Sequence, residues 1–269
     1  MALEAQKTLE PQRPPLMYRA KRAARTSLSF VFSGLRRVSL HFKSVKDIWD
    51  AGMSGSISFW DTWLATKGNR WPEDYKERVD PESEVSDPVA GFIKSPDCKI
   101  LDVGAGPLTQ IGKKWKGHTL DITAVDTLGD EYQKLLKKHG VVPIVTTQQL
   151  DAEKLSERFA PDTFDIAHAR NCLDHSYDPV LAIEQMLLVT KPGGVVTLVH
   201  SHNEGAVELY RGLHQWNFRK DGDKFLIASP GLPTVDMTER LKNRVEMNLY
   251  IRPSDDWLVV TMRKLATNA

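Results

Sequence analysis

The run Ile100-Leu101-Asp102-Val103-Gly104-Ala105-Gly106-Pro107 restricts what this chain can fold into more than any other stretch. Lys99–Val103 is an apolar burst that stops at a glycine turn, which reads as a buried strand. Two glycines in Asp102-x-Gly104-x-Gly106 let the backbone turn sharply and approach a ligand closely. A helix after such a turn would aim its amide-rich end at the same point, favouring a carboxylate or phosphate. Glycine also serves strand-to-helix turns for structural reasons alone, so the turn does not decide the matter by itself.

The sequence that follows repeats the strand–helix theme. Leu120–Val125 reads as a second strand, and Asp130–His139 as a helix with its stripe at Tyr132, Leu135 and Leu136. Val141–Val145 predicts a third strand and Phe164–Ala167 a fourth. Pro179–Val189 has helical periodicity and is stopped by Lys191-Pro192-Gly193-Gly194, because proline cannot continue a helix. Val195–Val199 is a fifth strand. This alternation implies a parallel sheet covered on both faces. Val245–Ile251 and Trp257–Met262 flank Pro253-Ser254-Asp255-Asp256 and predict an antiparallel pair closing the sheet. The expected fold is α/β: a doubly wound, mostly parallel seven-stranded sheet with a terminal antiparallel strand, plus an N-terminal helical extension. Three parts follow: a basic arm over 1–46, disordered or amphipathic; an aromatic-rich helical extension or lid over 47–96; and a ligand-binding domain over 97–269.

Acidic residues fall where such a sheet would use them. Asp126 ends the second strand, 24 residues after Asp102, where an acid can accept hydrogen bonds from ribose hydroxyls. Asp151-Ala152-Glu153 follows the third strand, and Arg170-Asn171-Cys172-Leu173-Asp174-His175 the fourth. Ligands of open α/β sheets bind outside the carboxyl ends of the strands, where all these segments fall. The order Leu-Asp-Val-Gly-Ala-Gly, acid, Asp-Ala-Glu, Lys-Pro-Gly-Gly resembles the class I S-adenosylmethionine-dependent methyltransferases. That resemblance implies S-adenosyl-L-methionine as cofactor, with Gly104 and Gly106 at its methionine part and Asp126 at the ribose. It further implies Asp151 at the adenine amino group, the Ala152 backbone at the ring and Asn171 near the sulfonium; Asp102, Ala105 and Thr127 complete the expected set. Two departures stand out: Pro107-Leu108 replaces a third glycine, and Thr146–Leu150 is polar where a strand should end. A nicotinamide-dependent Rossmann enzyme is the rival, but it expects G-x-G-x-x-G, and Thr109 stands at the third glycine.

For the acceptor, His175, His200, His202, Glu204 and His214 cluster after strands four and five. Tyr210 and His214 would share a helical face. His214 and His175 are the expected proton acceptors; each could equally be a structural hydrogen-bonder. Phe59-Trp60-Asp61-Thr62-Trp63 reads as core or lid packing ahead of acceptor recognition. No metal ligand set is expected. The activity implied is in-line O-methylation of a polar small molecule or glycan without metal, with a non-catalytic interaction subunit of the same fold as the alternative.

A net charge of +1 gives no global push toward nucleic acid, and none is expected as partner. Yet no acid lies between Glu10 and Asp47, where Arg13, Arg19, Lys21, Arg22, Arg25, Arg36, Arg37, Lys43 and Lys46 do. A solvated extension and a transit peptide fit that run, as does a peripheral membrane contact: Leu28, Val31, Leu35, Val38 and Phe42 fall on one helical face. Only Cys98 and Cys172 are present, so a disulfide framework is not expected and a cytoplasmic, reducing location is. No run is long enough to span a bilayer.

Overall fold

The computed structural model describes residues 16–266. Three helices come first: α1 (Leu16–Phe42), α2 (Val45–Ala65) and α3 (Pro72–Val79). Then follow β1 (Lys99–Val103), β2 (Lys114–Trp115), β3 (His118–Thr119), β4 (Asp121–Asp126), α4 (Gly129–His139), β5 (Thr147–Gln149) and β6 (Phe164–Arg170). The chain continues through α5 (Pro179–Val189), β7 (Thr190–Ser201), α6 (Glu204–Val207), β8 (Asn217–Asp221), β9 (Lys224–Ala228) and β10 (Val235–Asp236). It ends with α7 (Met237–Leu241), β11 (Val245–Arg252) and β12 (Trp257–Lys264).

The seven-stranded sheet runs β11-β12-β7-β6-β1-β4-β5. β1 pairs in parallel with β4 and β6, and β6 with β7, while β12 lies antiparallel to both β7 and β11. The predicted fold class stands, including the antiparallel strand. Ile100 and Leu101 have no exposed surface, as expected for a central strand covered on both faces. One face packs on α5 and on the small β8–β9–β10 sheet, through Leu101, Ala167, Ile183, Met186, Leu198, Phe218 and Ile227. Local signals fix the helices: Ser44 and Asp47 form a capping box for α2, Asp178 caps α5 just before Pro179, and Gly140 (φ +66°) ends α4.

Two expectations need correction. The third strand is Thr147–Gln149 and not Val141–Val145. As the sheet's edge strand it pairs only with β4, so it needs no apolar run, and Val142 is left 87% exposed. No helix follows the glycine turn. Pro107, Gly112 and Gly117 break the stretch, which instead runs beside residues 83–85, with hydrogen bonds Val85 N to Lys114 O and Lys114 N to Ser83 O. A Cβ on Gly112 would lie 2.2 Å from the Glu84 backbone, so the close approach requires glycine. Val85, Val89, Ile93 and Ile111 then cover Ile100 and Ile166, the sheet surface a helix would have taken. Residues 16–42 of the arm form a helix docked on the segment after β7; residues 1–15 lie outside the described part.

Candidate active site

The glycine turn sits at the carboxyl end of β1. Gly104 (φ +70°) and Gly106 (φ +67°) both need the left-handed region. Each also admits a close neighbour: an added Cβ would lie 2.5 Å from Cys172 Sγ at Gly104, and 2.9 Å from the Trp60 ring at Gly106. The post-β6 segment therefore closes on one glycine and α2 roofs the other. Ala105, buried between them, donates its N–H to Val125 O at 3.1 Å. Asp126, at the end of β4, accepts from Gly106 N at 3.1 Å and Leu128 N at 3.0 Å. Burial raises its pKa, against those backbone donors. A carboxylate has about four acceptor positions, so this one can still take further hydroxyl donors. Thr127 donates to Asp151 Oδ1 at 3.0 Å, and Ala152 begins the short 3₁₀ turn after Asp151. Asn171 (φ +48°) accepts Ser201 N–H at 3.3 Å across the mouth.

Asp102 takes a different place from its neighbours. It is buried, accepts from Thr109 Oγ1 at 2.5 Å, and has its pKa pushed up to about 6 by burial. Its carboxyl holds the loop after the turn. Arg78 of α3 clamps the same loop, donating to Leu108 O at 2.5 Å and pairing with Asp74 at 3.0 Å.

The two expected histidines meet. His214 Nδ1 lies 2.8 Å from Asp174 Oδ2 and 3.0 Å from His175 Nε2, and His175 Nε2 is 3.4 Å from the same oxygen. Asp174 is fully buried. Burial would raise its pKa, but the two imidazoles hold it well below the usual carboxylate range. Burial lowers the pKa of His214, yet the hydrogen bond and charge of Asp174 outweigh this and raise it overall. Burial pushes His175 down to about 4, with His214 acting in the same direction. The cluster thus holds one imidazole that Asp174 makes more basic and one that burial keeps neutral. These three ligand atoms also lie close enough together to face one metal ion. Of the other candidates, Glu204 has its pKa raised by burial and by Asp174, while His200 is buried against Phe218 with neither ring nitrogen hydrogen-bonded. His202 Nε2 accepts from Lys220 N at 3.4 Å, a structural use. Tyr210 and His214 do not share a helix; α6 ends at Val207, and Leu209 and Tyr210 take left-handed backbone (φ +58° and +53°).

Residues 94–226 match the methyltransferase domain family. Residues 94–226 thus carry a methyltransferase domain, on a methyltransferase fold. An uncharacterised methyltransferase of Schizosaccharomyces pombe is 32% identical over 120 residues, which are 39% of this chain and 40% of that protein. The match therefore spans less than half of that relative. Phosphoethanolamine N-methyltransferase 2 of Haemonchus contortus, solved with S-adenosyl-L-methionine, superposes with a TM-score of 0.50 at 15% identity, covering 83% of this chain and 60% of that one. At such identity the likeness speaks for the fold. The order β5-β4-β1-β6-β7-β12-β11 of this domain puts the glycine turn, Asp126 and the Asp174 cluster at one end of the sheet, the carboxyl ends of the parallel strands.

Sequence reasoning passed over Trp60, Arg78 and Cys172 as site residues. Trp60 and Arg78 lie far from the turn in sequence, and only packing brings them to it.

Proposed function

We propose that this chain transfers a methyl group from S-adenosyl-L-methionine to an oxygen of a polar small molecule or glycan, with His214 taking the acceptor's proton. The observation that carries this reading is the Asp174-held histidine pair beside the Asn171–Cys172 segment that closes on the glycine turn. The glycines with left-handed backbone and the hydrogen-bonded Asp126 suit the cofactor, which supplies an electrophilic methyl on a sulfonium. The protein's part is to align the acceptor in line and exclude water. Because Asp174 accepts from Nδ1 of His214, the lone pair stands on Nε2, where it can take a hydroxyl proton. His175, neutral near pH 7, buttresses that ring.

The test is a pH–rate series on wild type, His214→Ala and His175→Ala with labelled cofactor over sugars, glycans and phenols. His214→Ala should lose roughly 10²–10⁴-fold in turnover with cofactor affinity kept. Since the pKa of His214 is raised, the wild-type rate should fall with acid at a midpoint above 6.5. Near-normal turnover of both variants would sink the base assignment. A second reading rests on the same three atoms: a divalent ion held by Asp174, His175 and His214. Loss of turnover on chelation, restored by added metal, would favour it.

We further assign α1 to a peripheral membrane contact. Leu28, Val31, Leu35 and Val38 are more than half exposed on the helix face turned away from the domain. Among the described residues no helix is long and apolar enough to cross a membrane. Both cysteines are free, in keeping with a reducing, cytoplasmic setting.

A further inference from the structure

α1 docks on the domain through regularly spaced polar side chains. Arg22 donates to Ser201 Oγ at 3.0 Å and to the His202 carbonyl, and Arg25 pairs with Glu208 at 2.6 Å. Arg36 follows on the same inner face and behaves differently. It is 4% exposed, and none of its three guanidinium nitrogens finds a hydrogen-bond partner among the described residues. Glu208, the acid on the facing segment, is already taken by Arg25. Burial lowers the pKa of Arg36 to about 10, which leaves it charged near neutrality. A buried charge with no counter-ion is among the costliest things a fold can hold.

The side chain borders a cavity of about 200 Å³ between α1, α2 and the segment after α6. α1 supplies Phe32, Arg36 and Ser39 to its wall, and the facing segment Tyr210, Arg211 and Gln215. Among the described residues no acid lines it, and the two charges it shows are both positive. Gln215 Oε1 is a second buried polar atom without a partner, while its Nε2 is held by Tyr210 O at 3.0 Å and Gly212 O at 2.6 Å. The backbone N–H of Gln215 donates to Asp174 O at 3.1 Å. One wall of the cavity is thus the residue next to His214, tied to the aspartate that orients it.

We propose that this cavity binds an anionic group of the methyl acceptor, a phosphate or carboxylate, with Arg36 as its counter-ion and Gln215 accepting from a neighbouring hydroxyl. The inference rests on the methyltransferase reading above and names its acceptor class. The link to the chemistry is Gln215, which lines the cavity, adjoins His214 in the chain and bonds the Asp174 carbonyl.

Calorimetry on the full-length protein tests it with three probes: glucose 1-phosphate, glucuronate and glucose. One of the two anions should bind wild type and glucose should not; the better anion identifies phosphate or carboxylate. Arg36→Met should weaken that anion roughly ten- to a hundred-fold, as expected for hydrogen bonds to a charged group. Ser39→Phe, which fills the cavity and keeps Arg36, should weaken it too. Equal anion affinity in wild type and both variants would overturn the proposal, as would no anion binding to wild type at all. S-adenosylhomocysteine should bind all three proteins alike. If it binds none, the methyltransferase reading falls, while the anion titration, which contains no cofactor, still decides for or against the cavity.

Discussion

Asp126 shows how a single side chain divides its work. It organises the glycine turn by accepting from Gly106 and Leu128, and it keeps acceptor positions in reserve. Asp126→Ala should therefore weaken S-adenosylhomocysteine binding by about ten- to a hundred-fold in a folded protein, read by calorimetry. Unchanged affinity would remove it from the cofactor site. The positions of Asp126, His175 and His214 at this end of the sheet were legible because Asp126 ends a recognisable strand and the histidines lie in dense polar runs, whereas the strand before Asp151 was not. Asp102 was legible as a position but not as a role: its bond to Thr109 depends on a loop that folds back on the strand. Arg36 was hidden among other basic residues. Only the spacing Arg22, Arg25, Ser29, Arg36, a single helical face, marked it as inward.

At the scale of elements, α1 has two unlike faces, and the docked one consumes charge. Arg22, Arg25 and Arg36 turn inward, so three of the nine basic residues between Glu10 and Asp47 are withdrawn from any electrostatic attraction. Among the described side chains of α1 what remains outward is chiefly apolar, Phe30 (86% exposed) included. Vesicle binding should then persist when salt is raised, since screening weakens charge attraction and leaves insertion untouched. Cosedimentation with anionic vesicles at low and high salt would compare wild type with a triple Leu28→Ser, Val31→Ser, Leu35→Ser variant; equal partitioning of the two would dismiss the contact. The helical face was readable from periodicity, its docking was not. The missing helix after the glycine turn was written in Pro107, Gly112 and Gly117. The analogy with related folds outweighed that signal, and the segment that replaces the helix comes from earlier in the chain.

For the whole molecule, buried histidines and buried acids oppose each other in acid. His168 is buried beside Thr197, and burial brings its pKa down to about 3. Below its unfolded pKa of about 6.5 the unfolded chain takes up a proton that the folded chain refuses, so stability falls as pH drops from there toward 3. Asp102 and Glu153, raised by burial to about 6 and about 7, act in the opposite sense over the same window. The difference is best read in a variant. Urea unfolding of His168→Gln, which keeps a partner for Thr197, should lose about 2 kcal/mol less than wild type between pH 7 and pH 5. An identical loss in both would mean that His168 is protonated in the fold. Fold class followed from the strand–helix rhythm, whereas the partnership of the arm with the segment after β7 spans some 180 positions that no local pattern connects. That partnership makes recognition separable from chemistry. The glycine turn and the proposed proton acceptor belong to the α/β body, while one wall of the proposed acceptor cavity is a helix laid on from outside it. Exchanging that helix would retune which molecules are methylated without touching how.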